Sequence, residues 1–287
     1  MISILILTLN EEVNLPICLE SVKWSDDIVV LDSFSSDRTA EIAKAFGARV
    51  IQRKFDNWAS HQNWALENIS FKHNWVYYSD ADEVVTPDLR DEMLSVTGNI
   101  NESHIAYRLR YKNYFCGRWI RHCGIYPVWV LRLFRYDKVR WERLVNPVAI
   151  VNGKEGHLEN HFHHYSFNKG LNAWFDKHNK YSWQEAEESL KSLTEPNINW
   201  SDIFSFSNPA GRRKALKELS FRLPFRPLLR FIYMYFLRLG FLDGWAGFHY
   251  CCLLSIYEYM IVLKMEEIRI SEKEIPVASE HRENPTL

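Results

Sequence analysis

A one-sided charge is missing from this chain: 35 Lys and Arg stand against 36 Asp and Glu, leaving −1 over 287 residues. That balance carries no global signature of nucleic-acid binding, and no nucleic-acid partner is expected. Cysteine is sparse. Cys18, Cys116, Cys123, Cys251 and Cys252 are odd in number and widely scattered, which argues against a disulfide framework and for a reduced, cytoplasmic compartment. Cys116 and Cys123, with His122 between them, fit no structural zinc spacing. The apolar opening Met1–Asn10 lacks a basic start and runs into Glu11-Glu12, so it reads as a buried strand and not as a targeting peptide. Internal repeats and low-complexity tracts are absent as well.

What the chain does have is apolar and aromatic mass: 47% hydrophobic and 15% aromatic residues, with eleven Trp. Such a share serves a large core, a sugar-binding surface or a membrane interface, and composition alone does not choose among them. The length suits one large domain with an appendage. Short Val- and Ile-rich runs at Ile2–Thr8, Asp27–Asp32, Ala48–Gln52 and Trp75–Ser79 alternate with helical patterns near Leu15–Val22, Arg38–Phe46 and Ala59–Asn68. This is the signature of a mainly parallel, doubly wound, Rossmann-like α/β sheet. Ser36 or Asp37 is placed to cap the second helix. Ligands of such sheets sit beyond the carboxyl ends of the strands, where Asn10, Asp32 and Asp80 stand.

After a helix near Pro87–Val96, Ile105–Lys112 alternates as a half-buried strand, and further extended segments are expected near Val128–Arg135 and Val145–Val151. Lys169–Ser189 reads as an amphipathic helix. From Gly211 onward Arg and Lys interleave with Phe and Tyr, and an apolar stretch, Trp245–Leu263, follows, interrupted by His249 and Glu258. Basic and aromatic residues together suit an interfacial helix on an anionic bilayer, so about 212–263 is expected to lie on a membrane surface, with a span or a buried helical pair as alternatives. The expected divisions are 1–168, with halves near 1–97 and 98–168, a helical region 169–270, and a disordered tail 271–287.

The strongest local signal is Tyr78-Ser-Asp80-Ala-Asp82-Glu83, directly after an apolar strand. Two carboxylates two residues apart at a strand end can converge on one hard cation, Mg or Mn, which neutralises a departing diphosphate. Acidic residues before a helix also occur for capping reasons alone. Four histidines, His157, His161, His163 and His164, cluster later, and in an alternating strand His161 and His163 share a face.

The first strand ends in Thr8-Leu-Asn10-Glu11-Glu12, the second in Asp32-Ser-Phe-Ser-Ser-Asp37, and with the acidic pair this set resembles the inverting glycosyltransferases of family 2, which have a GT-A fold. The likeness is closer to the bacterial lipopolysaccharide-core subgroup, through Gly117-Arg-Trp-Ile-Arg-His122, Arg132-Leu-Phe134, His164-Tyr-Ser166 and Gly240-Phe-Leu-Asp-Gly244. The resemblance implies a GT-A domain over 1–168, a nucleotide-sugar donor, UDP by family habit, and a glycolipid or oligosaccharide acceptor at the inner face of the plasma membrane. It implies donor-binding roles for Thr8, Asn10, Glu11, Asp32, Gln62, Asn63 and Asp80, and metal binding by Asp80 and Asp82. Arg118, Arg121, His122 and His164 are expected at the acceptor or diphosphate. Where the subgroup carries His-Glu, this chain reads Trp141-Glu142; Glu142 is expected as the base, with Glu83 and Asp243 as fallbacks. Alternatives are a membrane-associated scaffold that binds the nucleotide sugar without catalysis, and a sugar nucleotidyltransferase, although Asn10–Asn14 is not the Gly-rich loop that chemistry uses. A homo-oligomer is compatible with all of these readings.

Overall fold

The computed structural model describes residues 1–142, 148–194, 211, 212, 215, 219 and 222–274. Two compact units are present, Met1–Arg121 with Ile125–Lys169, and His122–Gly124 with Gly170–Leu287.

The first unit is built on four strands, β1 (Ser3–Thr8), β2 (Ile28–Asp32), β3 (Arg49–Gln52) and β4 (Trp75–Asp80), joined by α1 (Leu15–Val22), α2 (Thr39–Ala45) and α3 (Trp58–Asn68). They pair in parallel in the order β3-β2-β1-β4. Burial on both faces explains their unbroken apolar runs: Ile4 and Ile6 face one core cluster, Leu5 and Leu7 the other. Each such side chain contributes about 1.5–3 kcal/mol when fully buried. Local chemistry sets the helix starts. The Asn57 side chain accepts the Ser60 N–H at 2.9 Å to open α3, and Thr86 caps α4 (Pro87–Gly98), where Pro87 occupies a first-turn position with no N–H to satisfy. Asp37 is not the N-cap of α2, which is Arg38, yet its carboxylate takes the Thr39 N–H at 3.0 Å.

Beyond β4 the sheet turns mixed. β8 (Trp129–Arg135) runs antiparallel to β4, followed by β6 (His104–Phe115), β11 (Lys154–His164) and β5 (Glu83–Val85), with β7 (Arg118–Ile120) on the edge of β6. A separate ribbon pairs β9 (Val139–Glu142) with β10 (Val148–Val151). The extended segment expected from Val145 is thus a strand from Val148, and 143–147 lie outside the described residues.

The second unit holds α5 (Gly170–Thr194), α6 (Arg226–Ile232) and α7 (Gly244–Glu274). A π-helical turn at Tyr233–Leu237 and a 3-10 turn at Gly240–Asp243 link α6 to α7. Gly247 is required there: a Cβ would stand 2.1 Å from the Gly240 carbonyl oxygen. Charges inside α7 are met by its neighbours. Glu258 is held by Arg226 and, at 3.2 Å, by Arg230, while Lys264 donates to Asn179 Oδ1 at 2.6 Å and Ser182 Oγ at 2.7 Å on α5. α7 continues through Ser271–Glu274, which the sequence pattern placed in a tail; the remainder of that tail, like much of 212–225, lies outside the described residues.

Candidate functional site

The carboxyl ends of β1, β2 and β4 carry the polar groups of the first unit. Asp32, fully buried at the end of β2, accepts from Thr8 Oγ1 at 3.0 Å, the Ser35 N–H at 3.0 Å, Gln52 Nε2 at 3.1 Å and the Ser35 hydroxyl. Asp32 and Thr8 therefore fix the loop after β2 to the end of β1, and their oxygens are already engaged. Asn10 stands in the left-handed region, φ 55°, which Asn tolerates better than most residues. Its N–H donates to Ser35 Oγ and its carbonyl oxygen Oδ1 accepts the Ser36 N–H, each at 2.8 Å, so the loops after β1 and β2 are cross-tied. Glu11 accepts from Asn14 Nδ2 at 2.9 Å and pairs with Lys169. Burial raises its pKa, against the opposing pull of Lys169 and Asn14.

The expected pair Gln62 and Asn63 separates in function. Asn63 Nδ2 donates to the Trp141 carbonyl and Oδ1 accepts the Trp141 N–H, both at 2.8 Å, so its amide clamps β9 to α3. Gln62 is buried with Oε1 lacking a partner among the described residues. An Arg53–His61 contact of 2.8 Å, with Asp56 2.8 Å from Arg53, adds three polar groups near Ser33 that sequence reasoning did not single out. Burial first, and then the charge of Arg53, lowers His61 from 6.5 to about 4.

The acidic pair sits where β4 turns back into β5. Because β5 pairs antiparallel with β11, Glu83 lies opposite His164, and His164 Nε2 is 3.4 Å from Asp82 Oδ2. Burial alone would lower the His164 pKa, but the hydrogen bond and charge of Asp82, backed by Glu83 and Asp80, outweigh burial and raise it. Arg132 arrives from β8, whose register sets Leu133 against Tyr77. Its Nη2 lies 2.6 Å from Asp80 Oδ2 and 2.5 Å from Glu83 Oε1, and its guanidinium rests 4.5 Å from the Tyr78 ring centre. The Tyr78 hydroxyl donates to Asp80 Oδ1 at 2.9 Å. Burial, opposed by Arg132, pushes Glu83 up to about 7.

This arrangement leaves Asp80 and Asp82 partly accessible, with side-chain exposures of 35% and 23%, while Glu83 at 3% is walled in. No group of three or more His, Cys, Asp or Glu side chains converges as a cage among the described residues. Two accessible carboxylates at one strand end still fit Mg or Mn, ions that draw further ligands from substrate phosphates and water.

The other expected residues are more dispersed. Glu142 ends β9 with its side chain exposed, on the face opposite Trp141, whose ring packs 6.1 Å from Tyr78 and 5.3 Å from Phe134. Arg118 and Arg121 are exposed around β7, and Arg121 lies 5.7 Å from the Trp119 ring centre. In the second unit, Asp243 accepts both the N–H of His122 at 2.8 Å and, across 2.7 Å, its ring Nδ1.

Residues 3–154 match the family profile described as Glycosyl transferase family 2. The chain is 24% identical to an uncharacterized glycosyltransferase of Rickettsia typhi over 98% of this chain and 91% of that protein. It is 26% identical to a lipopolysaccharide core biosynthesis glycosyltransferase of Rhizobium meliloti, over 92% of this chain and 91% of that protein. Among solved structures, a mannosyltransferase of Pyrobaculum calidifontis in complex with GDP-Man and Mn2+ superposes with a TM-score of 0.49 at 13% identity, covering 92% of this chain and 86% of that one.

Proposed function

The chain belongs to glycosyl transferase family 2, and from that premise we propose that it moves a sugar, with inversion, from a UDP-sugar to a saccharide acceptor of the bacterial cell envelope. The observation that carries this reading is the accessible Asp80–Asp82 pair at the end of β4, beside the loops cross-tied by Asn10 and Asp32. The envelope acceptor is supported by the likeness to the lipopolysaccharide core biosynthesis glycosyltransferase.

Asp80 and Asp82 are the groups that would hold Mg or Mn; when bound, the ion supplies positive charge to the departing diphosphate. Asn10, Glu11 and Gln62 line the donor side, with the unpartnered Gln62 Oε1 free to accept from the nucleotide. Arg132 fixes Asp80 in direction through a charge-assisted contact, so the carboxylate needs no rearrangement as charge develops. Of the three carboxylates considered as base, Glu83 is buried against Arg132 and Asp243 is held by His122. Glu142 is exposed and forms no ion pair among the described residues, so the proton of the acceptor hydroxyl is assigned to it.

The protein is read as cytoplasmic and peripheral to the inner membrane face. α7 with the preceding turn is long and apolar enough to cross a bilayer by length and composition, but Glu258 and Lys264 are satisfied by α6 and α5, which favours a helix packed within its own unit. Phe236, Leu237, Phe241, Leu242, Trp245 and Phe248 are exposed together around the α6–α7 turn and supply the apolar contact with lipid.

The test is UDP release from a panel of UDP-sugars by the purified protein, with Mn2+ and a saccharide extract of bacterial envelopes. Release that requires both the ion and the extract supports the reading. Absence of release from every donor, or release indifferent to a chelator, overturns it.

A further inference from the structure

On the outer half of the sheet a second concentration of chemistry occupies one face. Along β6, Arg110, Lys112 and Tyr114 alternate with the buried Leu109 and Phe115. Strand pairing then sets His161 beside Arg110 and His163 beside Lys112 from β11, Trp129 beside Arg110 from β8, and Trp119 beside Tyr114 from β7. The rings seat the cations. Arg110 lies 5.1 Å from the Trp129 ring centre, and Lys112 Nζ lies 4.5 Å from that of Trp119, which Arg121 also approaches.

These cations are not neutralised from within. Arg108, one pleat away, pairs with Glu155 at 2.6 Å, whereas Arg110, Lys112 and Arg121 meet no carboxylate among the described residues. Two donors on the face, Arg110 Nε and Trp119 Nε1, are buried and unpartnered among those residues. A buried N–H without an acceptor costs about 1–3 kcal/mol, so such groups mark where an acceptor atom belongs. The histidines report the local potential: burial first, then Lys112, His163 and Arg110, against a smaller opposing pull from Asp88, lowers His161 to about 4, and burial followed by Lys112 lowers His163. Tyr114 and Tyr165, stacked with centroids 4.9 Å apart, add amphipathic ring surface of the kind sugars pack against.

We propose that this face binds the acceptor saccharide through acidic groups, carboxylate or phosphate, carried on its sugars. The proposal rests on the transferase reading for the word acceptor, and its chemistry rests on cations without a carboxylate partner among the described residues, orphaned donors and ring surface in one layer, with one Arg110 nitrogen donating to the Glu159 carbonyl. Successive residues of a strand point to opposite faces, so His163 belongs to this layer and His164 to the Asp82 side of β11. The saccharide is therefore anchored on the reverse of the strand end that carries His164, which favours an oligosaccharide over a single sugar.

The experiment is an NMR titration of the His161 and His163 ring signals in the full chain, without donor. The probes are tetragalacturonate as a carboxylated oligosaccharide, maltotetraose as its neutral counterpart, and phosphatidylglycerol vesicles as a lipid source of anions. Tetragalacturonate is expected to shift both signals and raise both pKa values, and maltotetraose to leave them unmoved. Lys112→Gln, with thermal unfolding unchanged, should weaken tetragalacturonate binding about fivefold, the scale of one exposed charge contact, and Lys112→Arg should retain it. Equal shifts with maltotetraose, unaltered binding by Lys112→Gln, or a response to vesicles alone overturns the proposal. No turnover is needed for this measurement. Binding without UDP release would remove the transferase reading and leave the surface standing, and UDP release with an unresponsive surface would do the reverse.

Discussion

Arg132 and Asp80 meet through one guanidinium nitrogen, Nη2, at 2.6 Å, and the same nitrogen reaches Glu83 at 2.5 Å. A single buried cation thus divides its charge between an accessible carboxylate and an enclosed one. Removing it strands both. Arg132→Met is expected to cost about 3–5 kcal/mol in urea unfolding, with a substantial part restored when Glu83→Gln is added. Additive losses in that double-mutant cycle would show that the contact carries no coupling.

Asp82→Asn keeps the shape of the side chain and removes its charge at the position proposed for the ion. Turnover with Mn2+ should fall about 1000-fold, a loss on the order of 4 kcal/mol, while the melting temperature stays near that of the unmodified protein. Retained activity would exclude Asp82 from the ion site.

Glu142→Gln tests the base proposed for the acceptor end of the displacement. A lost general base lowers kcat by about 100- to 10,000-fold and leaves donor affinity intact. Calorimetry with the UDP-sugar and Mn2+ should therefore give an unchanged Kd in this variant. A matching drop in donor binding would reassign Glu142 to the donor pocket.

His61 predicts a pH dependence. It titrates near 4 in the folded chain against 6.5 for the free group, so between those values the unfolded chain takes up a proton that the folded chain refuses. Stability on this account is complete above 6.5 and falls as the pH drops toward 4, by up to about 3 kcal/mol. Subtracting the unfolding profile of His61→Gln from that of the unmodified protein isolates the slope; a flat difference would mean that His61 gains no protection from its proton in the fold.

The α6–α7 turn offers a test of membrane contact. Phe241→Ser with Trp245→Ser should reduce co-flotation with phosphatidylglycerol vesicles about tenfold or more, since each large side chain contributes about 1.5–3 kcal/mol when buried in an apolar phase. Turnover on a soluble acceptor should be unaffected.

Asn10, Asp32, Asp80 and Asp82 were legible because each closes or follows an apolar run, and the ends of buried parallel strands are where such sheets bind ligands. The first four strands and three helices were read to within about two residues for the same reason. Arg132 was visible only as part of a motif: its partners Asp80 and Glu83 lie 52 and 49 residues away in sequence, brought near by the pairing of β8 with β4 and of β11 with β5, and nothing local encodes that register. The meeting of Asp82 with His164 depends likewise on β5, three residues long and too short to declare itself by periodicity. The Gln62-Asn63 dipeptide was read as one unit, yet the helix turns each residue by about 100°, which points one amide inward and lends the other to β9.

That lent amide has an evolutionary implication. Through Asn63 the residue just before Glu142 hangs from α3, beside the buried Gln62. On the roles proposed for Gln62 and Glu142, any drift in sugar preference that re-tilts α3 carries the proposed base along with it, so donor choice and acceptor activation would be inherited as a linked trait.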